Sequence, residues 1–274
     1  MTRPASAQFT LSRRAALFGL LATPLACRSR VHGAPSAVSS ASPLSAARLT
    51  APPLEVAEVT QMRADERGGV AVVLLHGFGA QGDDLVPLAR ALMHAGTRFI
   101  LPAAPLSLGS GGRAWWRLDA PDRPPYVADS GASAAVHLPP PNVELEAARS
   151  AVQAVLQKTK ELYAPEQLFL VGFSQGGMLA LDVALLASPP VQRVAVLSGR
   201  LLADAAARTA PLQALLPAVF ISHGREDPVL PFSGAERMKA ELEQRGLDVT
   251  WQPFSGGHQI PDAVVTGLRT FLFG

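Results

Sequence analysis

The chain has 274 residues, of which 48% are hydrophobic and 17% charged, with a net charge of +2 and one cysteine. One thiol excludes an internal disulfide framework, and a balance this close to neutral, with no basic aromatic patch, argues against nucleic acid as a partner.

Residues 1–27 read as an export signal. Ser12-Arg13-Arg14 precedes Ala15-Ala-Leu-Phe-Gly-Leu-Leu-Ala22, an apolar run too short to span a bilayer but of the right length for the core of a signal peptide. The paired arginines resemble a twin-arginine signal, with Ala16 where a bulky apolar residue is usual. Pro24-Leu25-Ala26-Cys27 is similar to a degenerate lipoprotein cleavage site, which makes Cys27 a candidate lipid anchor. Loss of residues 1–26 removes Arg3, Arg13 and Arg14 and no acid, turning the charge of +2 into −1. An exported location, periplasmic, secreted or lipid-anchored, is therefore expected. Residues 28–53, rich in Ala, Ser and Pro, read as a tether.

From Leu54 to Gly274 the chain is long enough for one large core and is expected to form a single catalytic domain. Apolar strands are expected at 70–75, 98–101, 167–171, 193–197, 218–222 and 248–252, with helices between them, such as 143–162 and 233–245, and a last helical run over 261–273. This alternation predicts an α/β fold with a mostly parallel sheet and helices on both faces. The first strand runs into His76-Gly77-Phe78-Gly79. Gly77 to Gly82 also fits the dinucleotide pattern G-x-G-x-x-G, but no Asp or Glu occurs between Leu85 and Leu118 to hold a ribose, so the glycines read better as a loop feeding a site. No cofactor and no metal is called for.

The most informative stretch is Gly172-Phe173-Ser174-Gln175-Gly176, between a strand-length run and a helix-length run. In that setting G-x-S-x-G is a nucleophile elbow, where a serine is held on a sharp turn for a histidine to deprotonate. Chain order then assigns the partners. Only His223 and His258 follow Ser174; His223 precedes the best acid, leaving His258 in its glycine-rich loop as the base. Asp227, a few residues past the strand at 218–222, is the expected acid, with Glu226 as its neighbouring competitor. The oxyanion hole is expected from the N–H groups of Gln175 and Phe78. His76, at a strand end, reads as a structural hydrogen-bonding residue rather than an acid or base.

Leu75-His-Gly-Phe-Gly-Ala-Gln-Gly-Asp-Asp84, Arg113-Ala-Trp-Trp116, Gly172-Phe-Ser-Gln-Gly-Gly177, Leu197-Ser-Gly199, His223-Gly-Arg-Glu-Asp-Pro-Val-Leu-Pro231 and Gly256-Gly-His258 together resemble the phospholipase/carboxylesterase family of α/β-hydrolases, which includes acyl-protein thioesterases and lysophospholipase-like esterases. The resemblance spans about Val70 to Gly274. It implies the α/β-hydrolase fold, Ser174, Asp227 and His258 as the triad, Phe78 and Gln175 as the oxyanion hole, and no cofactor. Its substrates would be small esters of short to medium acyl chains, or lysophospholipid-like molecules. Thioester hydrolysis and acyl transfer use the same triad, and a non-catalytic ligand-binding relative is the rival from another class. Trp115 and Trp116 are candidates for the wall of an acyl pocket, with the core as the alternative for both and the favoured one for Trp116. After the Ala-Trp pair the family has an aromatic residue and then Asp, whereas here Trp116 is followed by Arg117, with Asp119 displaced, and the Pro-rich stretch 119–141 is a candidate flap or a surface loop.

Replacement of Arg13 and Arg14 by lysine is expected to leave precursor in the cytoplasm, as immunoblotting of cell fractions would show. Mature enzyme still outside would indicate the general secretory route.

Overall fold

The computed structural model describes residues 54–109, 111–118, 142–186, 189–203 and 216–274. The expected export signal, the tether, Cys27 and the whole of the stretch 119–141 lie outside them. Among the described residues nine strands and five helices follow one another: β1 (Val56–Thr60), β2 (Val70–Leu75), α1 (Val86–Ala91), β3 (Thr97–Pro102), β4 (Leu106–Ser107), β5 (Arg113–Ala114), α2 (Val143–Tyr163), β6 (Gln167–Phe173), α3 (Gln175–Leu185), β7 (Arg193–Leu197), β8 (Ala218–Gly224), α4 (Phe232–Gln244), β9 (Val249–Phe254) and α5 (Asp262–Phe273).

Seven strands form the main sheet in the order β1-β3-β2-β6-β7-β8-β9, and β4 and β5 form a small hairpin. Every neighbour pair from β3 to β9 is parallel; β1 alone runs antiparallel, with Val56 opposite Pro102 and Thr60 opposite Arg98. Parallel strands need covering on both faces, which is why they read as continuous apolar runs in the sequence. The period of two sorts those runs. Val73, Leu75, Ile100, Leu170, Val196 and Ile221 pack on α2, α3 and α4, whereas Val72, Leu74, Phe99, Phe169, Val171 and Phe220 pack on α1 and α5.

Two polar ties hold the layers. Arg149 of α2 and Asp182 of α3 form an ion pair whose side chains are 5% and 0% exposed, and Glu146 also meets Arg149. On the sheet edge, Arg98 pairs with Glu58 across β3 and β1, lies over the Tyr163 ring at 3.9 Å and donates to the carbonyls of Arg63 and Glu66. Helix α2 starts at Asn142, whose Oδ1 accepts from Leu145 N–H at 2.7 Å, a cap that satisfies an otherwise orphaned donor.

Asp182→Ala removes the buried carboxylate that faces Arg149 between the two helices, leaving Arg149 to the half-exposed Glu146. A loss of about 3–5 kcal/mol of stability is expected, measurable by urea denaturation at unchanged m-value.

Candidate active site

The elbow is built by close backbone approach. Ser174 follows β6 with φ +54° and ψ −119°, a conformation that L-residues rarely hold and that its neighbours enforce. Its N–H donates to Leu197 O at 2.8 Å, and its carbonyl accepts from Met178 N–H as the first turn of α3. A Cβ on Gly172 would collide with the backbone of Gly176, and one on Gly176 would collide with the carbonyls of Leu75 and His76. The two glycines therefore let β6, α3 and the end of β2 converge beneath Ser174.

Asp227 and His258 come from separate loops after β8 and β9. His258 Nδ1 lies 2.7 Å from Asp227 Oδ2, while Oδ1 accepts from the N–H groups of Val229 and Leu230 at 2.8 and 2.9 Å. Amides on one oxygen and imidazole on the other fix the carboxylate, and its side chain is fully buried. Glu226 is placed differently: its carboxylate takes the N–H of Gly256 and so ties the two loops together. The ring of Phe173 packs on His258 with centroids 4.9 Å apart.

Gln175 opens α3, at a helix position whose N–H has no partner within the helix. Its buried side chain accepts from Trp115 N–H at 2.9 Å and donates to Trp116 O at 2.7 Å. The indole of Trp115 in turn donates to His76 O at 2.9 Å. Neither tryptophan lines the cavity; both are completely buried and brace its floor from behind. Of the two readings, pocket wall or core, the structure places both rings in the core cluster on the α2/α3 side of the sheet, so the acyl-pocket wall is corrected. Arg117 turns away, its N–H and guanidinium on Glu144 at the start of α2. His76 has both nitrogens engaged, Nδ1 donating to Gly77 O at 2.8 Å and Nε2 accepting from Ala104 N–H at 2.9 Å. Burial holds its pKa below the usual histidine value, consistent with a neutral structural ring.

Ser174, His258 and Phe78 share one cavity of about 310 Å³, at the small end of the range for small-molecule sites. It lies on the side of the sheet that α1 and α5 cover. Leu85 and Leu88 supply one apolar wall, and Phe173, Ile260 and Val265 the other. Asp84 carries the one formal charge in this lining, its carboxylate accepting from Gln81 and Gly82 N–H at 2.6 and 3.1 Å. Phe78, 41% exposed, stands at the rim. The leucines of α1 and the residues after His258 were missing from the sequence reading, since a six-residue helix gives little periodic signal and side chains 170 positions apart meet only in the fold.

The arrangement of strands and elbow is that of an α/β-hydrolase, and the comparison with known proteins agrees. The Phospholipase/Carboxylesterase family model matches residues 55–273. The chain belongs to that family. Carboxylesterase SOBER1 of Arabidopsis thaliana is 26% identical over 211 residues, covering 73% of this chain and 88% of that one. The crystal structure of esterase PE8 aligns with TM-score 0.64 at 28% identity, over 80% of this chain and 97% of the other. Acyl-protein thioesterase 2 of Zea mays shares the fold, with TM-score 0.60 at 21% identity over 79% and 96% of the two chains. The protein is accordingly a carboxylic ester hydrolase.

Proposed function

We propose that the enzyme hydrolyses uncharged carboxylic esters of short to medium chain through a Ser174-His258-Asp227 acyl-enzyme route. The observation that carries this reading is the 2.7 Å contact of His258 Nδ1 with Asp227 beside a cavity that His258 and Ser174 share. With Nδ1 donating to Asp227, Nε2 bears the lone pair and is free to take the Ser174 proton. Ser174 Oγ attacks the ester carbon, and the negative charge formed on the carbonyl oxygen is met by the N–H groups of Gln175 and Phe78. His258 returns its proton to the leaving alcohol, and water then repeats the cycle on the acyl-enzyme. Asp227 keeps the imidazole in the correct tautomer and stabilises its charged form throughout.

The cavity supports the substrate class. Its walls are apolar and its formal charge is negative, so an aliphatic group is favoured and an anionic one repelled by Asp84. Thioesters with an uncharged leaving group suit the same chemistry. The signal-like residues 1–27 support an enzyme that works after export.

Ser174→Ala is expected to abolish both fluorophosphonate labelling and esterase turnover in a folded protein; a label found on another serine by peptide mass spectrometry overturns the assignment. Asp227→Asn is expected to lower kcat by roughly 10³–10⁴ through the wrong tautomer, whereas Glu226→Gln costs little. The reverse result would move the acid by one position.

Leu88→Trp fills the slot between α1 and α5. In a panel of p-nitrophenyl esters, kcat/KM for octanoate relative to acetate is expected to fall roughly tenfold or more, the cost of excluding a few buried methylenes. An unchanged ratio would place the acyl chain elsewhere.

A further inference from the structure

His76 follows β2 and is buried. The acyl-enzyme route gives it no proton to carry, yet both of its ring nitrogens are committed. A carbonyl only accepts and an amide N–H only donates, so the bonds to Gly77 O at 2.8 Å and from Ala104 N–H at 2.9 Å fix one tautomer, with the proton on Nδ1 and the lone pair on Nε2. The ring also packs on Trp115, with centroids 5.4 Å apart. It is held from behind, and its proton is aimed at one carbonyl.

That carbonyl belongs to the peptide unit that also carries Phe78 N–H, and across a trans peptide the C=O and the N–H point in opposite directions. With Gly77 O anchored inward on a buried ring, Phe78 N–H is turned outward. Outward here is the cavity, which Gly77 and Phe78 line together with Ser174; a Cβ on Gly77 would stand 3.4 Å from the Ser174 Cβ. Phe78 N–H meets no backbone acceptor among the described residues, which leaves it for a ligand. The local turn alone is a weaker anchor. Ala80 N–H also reaches Gly77 O, closing a turn with Gly79 at φ +82°, but at 3.4 Å that bond is near the limit of a hydrogen bond, whereas the imidazole stands at 2.8 Å.

Resting on the triad and oxyanion-hole reading above, we propose that His76 is a positioning residue of the reaction, whose Nδ1–H holds Gly77 O inward and thereby keeps Phe78 N–H aimed at the oxyanion. The two donors of the hole then have separate supports: α3 sets the amide of Gln175, and the imidazole sets that of Phe78. The contribution is realised only as charge develops on the substrate's carbonyl oxygen, so it acts on kcat rather than on KM.

Three substitutions separate the two ring bonds. In His76→Asn the amide N–H falls where Nδ1 stands and holds Gly77 O, while Ala104 loses its acceptor. In His76→Gln the amide falls at the position of Nε2, so Ala104 keeps its acceptor and Gly77 O loses its donor. His76→Phe loses both. Each is assayed with p-nitrophenyl acetate, per active site titrated to completion with a fluorophosphonate, and with an alkyl trifluoromethyl ketone as inhibitor. Ser174 Oγ adds to the ketone carbon, its proton passes to His258, and the former carbonyl oxygen carries the negative charge into the hole. His76→Gln and His76→Phe are expected to lose roughly tenfold or more in kcat with little change in KM, and to bind the ketone more weakly by a similar factor. His76→Asn is expected to recover most of both. Wild-type kcat and ketone affinity in His76→Gln and His76→Phe would overturn the proposal. Equal losses in all three variants, or a lower kcat at unchanged ketone affinity, would overturn it too, as the mark of a packing role alone. If His76→Phe fails to fold, the Asn and Gln substitutions decide by the same criteria. Failure of the triad itself would appear separately, as turnover surviving in Ser174→Ala.

Discussion

The backbone of Ser174 is the constraint on which the site depends. A residue at φ +54° before a helix is stable only if the surrounding chain leaves no alternative, and here the surroundings are backbone on three sides: Gly176 against the end of β2, Gly172 against Gly176, and Leu197 O on the Ser174 amide. Because those contacts involve main chain rather than side chains, they leave no slack. The same geometry starts α3 at Gln175, which puts a free amide beside the serine and sends the Gln175 side chain into the loop at Trp115. One strained residue thereby orders the floor of the cavity.

The histidine side is built on a different principle. Asp227 and His258 stand on loops after adjacent strands, and these loops are stitched by backbone bonds, Arg225 N–H to Phe254 O at 2.9 Å and Glu226 N–H to Gly256 O at 3.0 Å, as well as by the Glu226 carboxylate. Glu226 and Asp227 are neighbouring acids with separate tasks. The first joins the loops, and the second faces the imidazole. The buried carboxylate, in turn, is tolerated because each of its oxygens meets hydrogen-bond donors.

Much of this was legible in the sequence, for physical reasons. The six apolar runs of the parallel sheet were plain because strands covered on both faces carry few polar residues, and Gly172 and Gly176 mark the elbow because no other residue fits there. The edge strand β1 was hidden. Val-Ala-Glu-Val-Thr is short and half-buried, and its Glu58 is inward-facing only because Arg98 answers it. The tryptophans show the limit of composition: a large aromatic beside a site suits a pocket as well as a core, and only the packing of the fold, with the Trp115 indole on His76 O, decides that both rings face the core.

The direction of β1 has a consequence for how the molecule is presented. In the parallel strands the chain runs toward the edge that bears Ser174 and His258, but β1 is antiparallel, and Val56 is paired with Pro102 at the far end of β3. The described chain therefore begins at the end of the sheet that bears Ser174 and His258. The start of the described domain at Leu54 and the cavity shared by Ser174 and His258 thus lie at the same end of the parallel strands.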